Sequence, residues 1–364
     1  MDRDELQEKL GRVRALIDAQ GLDAIQLDRL ANMAWLTGGA RLYVNTAAET
    51  GAGSLLVTRY GQYLLTDVIE GRRLREEEGF GDAWEVIEEP WQEPRTRLAE
   101  LTRGLRVGGD MPGPGRQDIA AEVARLRWIM TAPEIARFRA LGADAGRAIG
   151  DAARAIRPGM TEFEIAGALA QATYARGALP IVALVAVDAR METRRHPLPT
   201  DLRLERTALL VLCARRHGLV ASVSRIVHFG PTPAELRDRV RAAATVDAIT
   251  VASTRPGVAL NDIFARLQQA YADVGWPGEW RNHHQGGLAG YEPREIVATP
   301  HTRETVELGQ VYAWNPSVPG AKSEDSVLIT PDGAEVLTVT PDWPLLDLTV
   351  EGAHIARPDL LEVR

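Results

Sequence analysis

Two stretches of the chain are copies of each other. Residues 156–177 (IRPGMTEFEIAGALAQATYARG) and 254–275 (TRPGVALNDIFARLQQAYADVG) align without a gap at an offset of 98, since 255 − 157 = 98 and 275 − 177 = 98. Both carry Arg-Pro-Gly near the start and Gly at the end, with Ile165/Ile263, Gln171/Gln269 and Ala172/Ala270 between them. Arg-Pro-Gly stops one helix and the closing Gly ends the next, so each copy reads as a turn entering a helix. In the first copy Thr161 and Glu164 make a Thr-x-x-Glu capping signature. β-rich runs follow each copy: IVALVAV and ALLVLCARRHGLVASVSRIVHFG after the first, QVYAWNP and SVLITPDGAEVLT after the second. A helix-helix-strand unit used twice implies a pseudo-symmetric α/β domain, and the seam between such halves is a common place for a small-molecule pocket.

The repeat occupies only part of the 364 residues, and a chain of this length is expected to hold two domains. Leu6, Leu10, Val13 and Ile17 share one helical face near the start, which reads as a docked helix and not a signal peptide. Short strands follow at LDAIQLD and, as a hairpin, at SLLVTRYGQYLLTD; between them a Gly-Gly turn leads to a loop bearing Arg41, Tyr43 and Asn45. Glycines and prolines crowd residues 108–115, which places the end of a first α/β domain near residue 128 and gives the division 1–128 and 129–364.

Composition narrows the partners. The formal charge of −8 argues against nucleic acid or an anionic membrane surface, and no run approaches the roughly 18 apolar residues of a membrane span. The single cysteine, Cys213, excludes an intrachain disulfide and a Cys-cluster zinc site, so a cytoplasmic protein is expected.

The stretch HHQGGLAGYEPRE (283–295) raises the chemical question. It lacks the Lys-Ser/Thr of a phosphate-binding loop, and no dinucleotide fingerprint precedes it. AWLTGG, the two Arg-Pro-Gly units, RRHPLPTDLRLE, HHQGGLAGYEP and GQVYAWNPSVPGAKSEDSVLITPDG, taken together with their order and spacing, resemble the creatinase, aminopeptidase P and methionine aminopeptidase family. The resemblance implies a creatinase-type N-terminal α/β domain followed by a pita-bread domain. It also implies a homodimer in which Arg41, beside Tyr43, reaches a partner's pocket and pairs with a substrate carboxylate.

Metallopeptidases of that family hold two metal ions with two Asp, one His and two Glu, a set that suits divalent transition metals. Matched to this chain, the two Asp positions fall on Val211 and Ser222, the His on His284, and the Glu positions on Asn315 and Glu324. Tyr291 stands where a second His belongs, and Glu292 is kept. Two surviving ligands fall short of a catalytic metal site, so neither a metal nor another cofactor is expected. What remains resembles creatinase, which works without metal. On that resemblance His196 is the general base and acid, with His284, Tyr291, Glu292 and Glu324 around it and Asn315 and Lys322 available to substrate. His283, next to His284, is expected to face away, since successive strand side chains alternate.

The expected activity is metal-independent cleavage of a C–N bond, in an amide, amidine or guanidine that carries a carboxylate. A pseudoenzyme that keeps the pocket as a binding module, and an Xaa-Pro-type aminopeptidase or a lyase with an atypical site, are the alternatives.

Overall fold

A computed structural model describes residues 2–364. The chain forms two compact units, Met1–Glu134 and Ile135–Arg364. The first unit opens with α1 (Arg3–Ala19), whose Leu6, Leu10, Val13 and Ile17 are buried as the helical spacing requires. Next come β1 (Ala24–Arg29), α2 (Leu30–Leu36), the antiparallel pair β2 (Thr50–Thr58) and β3 (Gln62–Asp67), and α3 (Gly71–Glu77). β4 (Glu85–Glu89), α4 (Arg97–Leu101), β5 (Val107–Gly109), β6 (Arg116–Asp118) and α5 (Ala120–Arg125) complete it. The six strands form one mixed sheet in the order β4-β3-β2-β1-β5-β6.

The unit boundary lies six residues beyond position 128, inside the first turn of α6 (Ala132–Ala155). Lys9 is fully buried on α1 and is neutralised by Glu5 at 2.6 Å and by Glu134 at 2.9 Å, which ties the start of α6 into the first unit.

In the second unit α6 is followed by α7 (Glu162–Tyr174), β7 (Leu179–Val187), the short α8 (Arg190–Thr193) and the long hairpin β8 (Thr207–Arg216) and β9 (Leu219–Phe229). The second half runs α9 (Ala234–Ser253), α10 (Leu260–Asp273), β10 (Gly286–Ala289), β11 (Ile296–Val297) and β12 (Val311–Trp314). Then come the two-residue strands β13 (Ser317–Val318) and β14 (Ala321–Lys322), β15 (Asp325–Thr330) and β16 (Gly333–Val336). β17 (Leu345–Val350), β18 (Ala353–Pro358) and β19 (Leu361–Val363) close the chain. Two sheets dominate, β19-β9-β8-β7 and β11-β10-β12-β15-β16.

The repeat is real at the level of single hydrogen bonds. The Gly159 N–H donates to the Leu204 carbonyl and the Gly257 N–H to the Val306 carbonyl, both at 2.8 Å. Likewise Glu162 N–H meets Leu202 O, and Leu260 N–H meets Glu304 O. The helical ends keep the offset of 98 (260 − 162), while the loop carbonyls that accept are 102 apart (306 − 204), so the second half has four extra residues in between. Gly159 and Gly257 have φ of +92° and +85°, which is why both copies carry glycine after the proline. The two sheets meet where Ser224 of β9 bridges to Glu324, just before β15.

Candidate functional site

The hairpin supplies the floor. β8 and β9 pair in the register Val211↔Ser224 and Cys213↔Ser222. Val211 and Ser222, the positions expected to carry two aspartates in a metallopeptidase, are therefore diagonal neighbours, and both are buried. Ser222 Oγ lies 3.3 Å from Cys213 Sγ. Neither position carries a charge, and Glu324, the one carboxylate kept at a ligand position, is already occupied. Glu324 accepts from Ser224 Oγ at 2.5 Å, from Lys322 Nζ at 3.0 Å and from Arg294 Nη2 at 3.0 Å. Arg294 also donates Nη1–H to Ser222 Oγ at 3.3 Å and to its neighbour's carbonyl, Pro293 O, at 2.6 Å. Burial pushes the Glu324 carboxyl up, but Lys322, Arg294 and the Ser224 hydroxyl outweigh it and hold it down at about 2.

The wall carries three imidazoles. His196, His283 and His284 have ligand-capable nitrogens that all lie within 4.8 Å of one another. His283 Nε2 sits 3.0 Å from His196 Nε2, so one ring donates and the other accepts. The His283 and His284 rings stack at 4.5 Å. Their backbone is fixed from behind: Gln285 donates Nε2–H to the His283 carbonyl at 2.6 Å and to the Trp280 carbonyl at 3.1 Å, while its Oε1 accepts from the Tyr271 hydroxyl at 2.8 Å. An Arg195–Glu279 ion pair joins the His196 segment to the short turn of 3-10 helix, Glu279–Asn282, that leads into His283. Gly286, with φ +98°, lets β10 lie against β12; a Cβ there would meet the Ala313 carbonyl at 2.1 Å.

Burial, then the nearby positive charge of Lys322, drives the His283 imidazole down to about 2. Burial and Arg294 take His284 down to about 4. His196, more open to solvent, is lowered by the same causes. All three are thus neutral at pH 7. The Nδ1 atoms of His283 and His284, Arg294 Nε and Asn315 Oδ1 are buried without a protein partner.

The placement of His283 overturns the expectation that it faces away. Alternation fails because residues 283–285 precede the regular strand, which begins at Gly286. Glu324, expected around His196, has its oxygens taken by Lys322 and Arg294. Lys322, expected to meet substrate, is one of those two partners. Asn315 is buried, with its backbone N–H on the Gln285 carbonyl at 3.1 Å. Tyr291 and Glu292 are organised by Glu295, whose Oε1 accepts from both of their backbone N–H groups. In the first unit, Arg41 pairs with Glu78 at 2.7 Å, so its guanidinium already has a carboxylate, and Tyr43 beside it is half-buried. Arg294 escaped the sequence reading; its position beside Glu292-Pro293 was the only signal.

The family's pair of metal ions does not fit these residues. Of the positions that would supply four carboxylates, only Glu324 has one, and two cations hold it. An ion seated on the three imidazoles would face Lys322 and Arg294 as well. What the arrangement offers instead is neutral imidazoles able to take and give protons, next to a fixed guanidinium and ammonium.

Comparison with known proteins agrees with this architecture. The profile of metallopeptidase family M24 matches residues 136–331, and that of the creatinase/prolidase N-terminal domain matches residues 9–140. An Xaa-Pro dipeptidase of Pyrococcus horikoshii is 21% identical over 359 residues, covering 93% of this chain and 98% of that protein. Among solved structures, a prolidase from Thermococcus sibiricus superposes with a TM-score of 0.81 at 15% identity over the whole of both chains. The N-terminal domain of the FACT complex subunit SPT16 from Eremothecium gossypii superposes with a TM-score of 0.70 at 13% identity, over 93% of this chain and 97% of that one.

Proposed function

Because the chain belongs to metallopeptidase family M24 and carries a creatinase/prolidase N-terminal domain, we propose that it hydrolyses a C–N bond in a small, carboxylate-bearing, peptide-like substrate. The Xaa-Pro dipeptides named for its relatives are the first class to test, with amidino and guanidino acids second. The reaction runs on side chains. The observation that carries this reading is the Glu324 carboxylate, closed by Lys322, Arg294 and Ser224 while Val211, Ser222 and Asn315 occupy the other ligand positions.

In this proposal His196 activates water. His283 stays neutral and accepts the Nε2–H of His196, which fixes the tautomer and leaves the other ring nitrogen of His196 as the base. When His196 is protonated, it returns the proton to the leaving nitrogen. Arg294 and Lys322 supply the positive potential that faces the substrate's developing charge.

Turnover of chelator-stripped protein on Xaa-Pro dipeptides and on guanidino acids tests the reading. Hydrolysis of one class should survive stripping and fall about 10²–10⁴-fold in His196→Ala. Activity that needs added metal would overturn the side-chain mechanism, and inertness toward both classes would overturn the hydrolase.

A further inference from the structure

His196 sits in the segment 188–206, between the end of β7 and the start of β8, whose only regular element is the short α8. A loop of that kind holds a side chain in place only if it is tied to something rigid. The tie here is one carboxylate. Glu162, the first residue of α7, is fully buried and turns its side chain to this segment. Its Oε1 accepts the Val187 N–H at 3.0 Å, and its Oε2 accepts the Thr200 N–H at 2.9 Å, the Thr200 hydroxyl at 2.6 Å and the Arg190 guanidinium. Val187 and Thr200 lie 13 positions apart (200 − 187), one on each side of His196, so a single group clasps both ends of the loop. Arg190 extends the clasp, because its other terminal nitrogen donates at 3.1 Å to the carbonyl of Leu198, just past His196.

Two plainer roles for a buried glutamate at a helix start do not account for these contacts. An acid there can complement the helix dipole, yet the first N–H groups of α7 are already taken. Those of Glu162 and Phe163 meet the carbonyls of Leu202 and Thr200, and that of Glu164 meets the Thr161 hydroxyl. Helix packing does not ask for a carboxylate either. At the matching place in the second copy, 162 + 98 = 260, stands Leu260, equally buried and with its N–H on the equivalent carbonyl. The backbone role is repeated and the carboxylate is not; it occurs in the copy whose following loop bears His196. A buried carboxylate is costly unless it is fully hydrogen-bonded, and the bonds that satisfy this one run to residues 187–200. We infer that Glu162 is a positioning residue: its carboxylate seats the loop that brings His196 against His283 and His284. The effect on turnover rests on the reading above, in which His196 exchanges the protons, whereas the placement stands apart from any reaction. Two further ties, the Val185 N–H on the Pro197 carbonyl and the Arg195–Glu279 pair, hold the loop beside His196, so removing Glu162 loosens the imidazole without releasing it.

The test is NMR of full-length protein with ¹⁵N-labelled histidine rings, read at the His196 nitrogens and at the N–H proton that His196 shares with His283. It is paired with kcat and KM on whichever of the Xaa-Pro dipeptides or guanidino acids the wild type hydrolyses. His196→Ala and His283→Ala assign the signals. Glu162→Leu, the exchange that makes the first copy match the second, should shift the His196 nitrogens and bring the shared proton into fast exchange with water. It should lower kcat by about tenfold to a hundredfold, the cost of a misplaced catalytic group, with KM little changed. Glu162→Gln, which keeps the shape and one acceptor, should fall between this variant and wild type. Thr161→Ala is the control for stability alone: it weakens the same helix start, removes no side-chain bond to the loop, and should leave the His196 signals in place. Should Glu162→Leu not fold, Arg190→Gln takes its part; it spares the carboxylate, cuts the bridge to the Leu198 carbonyl and should move the signals and kcat the same way by a smaller amount. His196 signals unchanged in Glu162→Leu, or in both Glu162→Gln and Arg190→Gln, would overturn the inference, and so would an equal change in Thr161→Ala. Altered signals with wild-type turnover would leave the placement standing and overturn His196 as the proton-transfer residue. In a protein that hydrolyses neither class, the His196 signals alone decide the inference.

Discussion

His283 and His196 share one hydrogen-bonded contact between ring nitrogens, and their different burial divides the roles. His283 is driven down to about 2 by burial, whereas His196, nearer the solvent, is the ring that exchanges protons in the mechanism we propose. His283→Ala should lower kcat by roughly tenfold, the rate equivalent of one lost hydrogen bond. His283→Gln, which can still place an acceptor near His196, should recover most of it and restore the shape of the pH–rate profile. The same depressed values predict acid sensitivity. Both half-buried rings are held below 6.5 in the folded state by desolvation, so the unfolded chain binds protons first as the pH drops below that value. Their stabilisation is present above 6.5 and is lost toward about 4 for His284 and about 2 for His283. Urea melts of wild type and His284→Gln between pH 7 and 4 should show a shallower acid slope in the variant; parallel slopes would rule out a buried neutral His284. These roles were only partly legible in the sequence. The loss of Asp at Val211 and Ser222 could be counted from the hairpin register, because a β-ladder fixes which residues are neighbours. The partners of Glu324 could not, because Arg294 reaches it from a loop, where no periodicity applies.

The duplicated helices allow a comparison within one molecule. Thr161 caps α7 with a complete capping box, its Oγ1 accepting from the Glu164 N–H at 3.1 Å while the Glu164 carboxylate accepts from the Thr161 N–H at 2.7 Å. The equivalent cap on α10 is Ala259, at 161 + 98, with no side-chain hydrogen bond and Asp262 in the place of Glu164. Thr161→Ala should therefore cost about 1 kcal/mol, and Ala259→Thr should stabilise by a similar amount at most. Chemical denaturation of both variants measures the pair. A stabilising effect from Thr161→Ala would contradict the equivalence of the two helix starts. At this scale the sequence was most informative, since helix stops, caps and the hairpin turn are short-range signals that tertiary contacts here do not override.

Across the second unit, a buried network lies behind the site and holds the end of the chain. Arg357 of β18 binds Asp247 of α9 at 2.5 Å and Asp325 of β15 at 2.8 Å, and Arg225 of β9 binds Asp325 at 2.9 Å. Arg357→Ala leaves two buried carboxylates short of a partner and should destabilise this unit by about 3–5 kcal/mol, read from its denaturation midpoint. The network was not visible in the sequence because its members lie up to 132 positions apart (357 − 225) and meet only when β9, α9, β15 and β18 have assembled. Asp325 directly follows Glu324, so the network fixes the backbone that presents the Glu324 carboxylate to Lys322 and Arg294. In the mechanism we propose, these side chains have replaced the family's metal ions. The most direct test of that replacement is the metal content per chain of protein produced and purified with manganese, cobalt and zinc supplied, then dialysed. Far less than one equivalent of any of them is expected. One or two equivalents that survive dialysis and disappear in Glu324→Gln would contradict it.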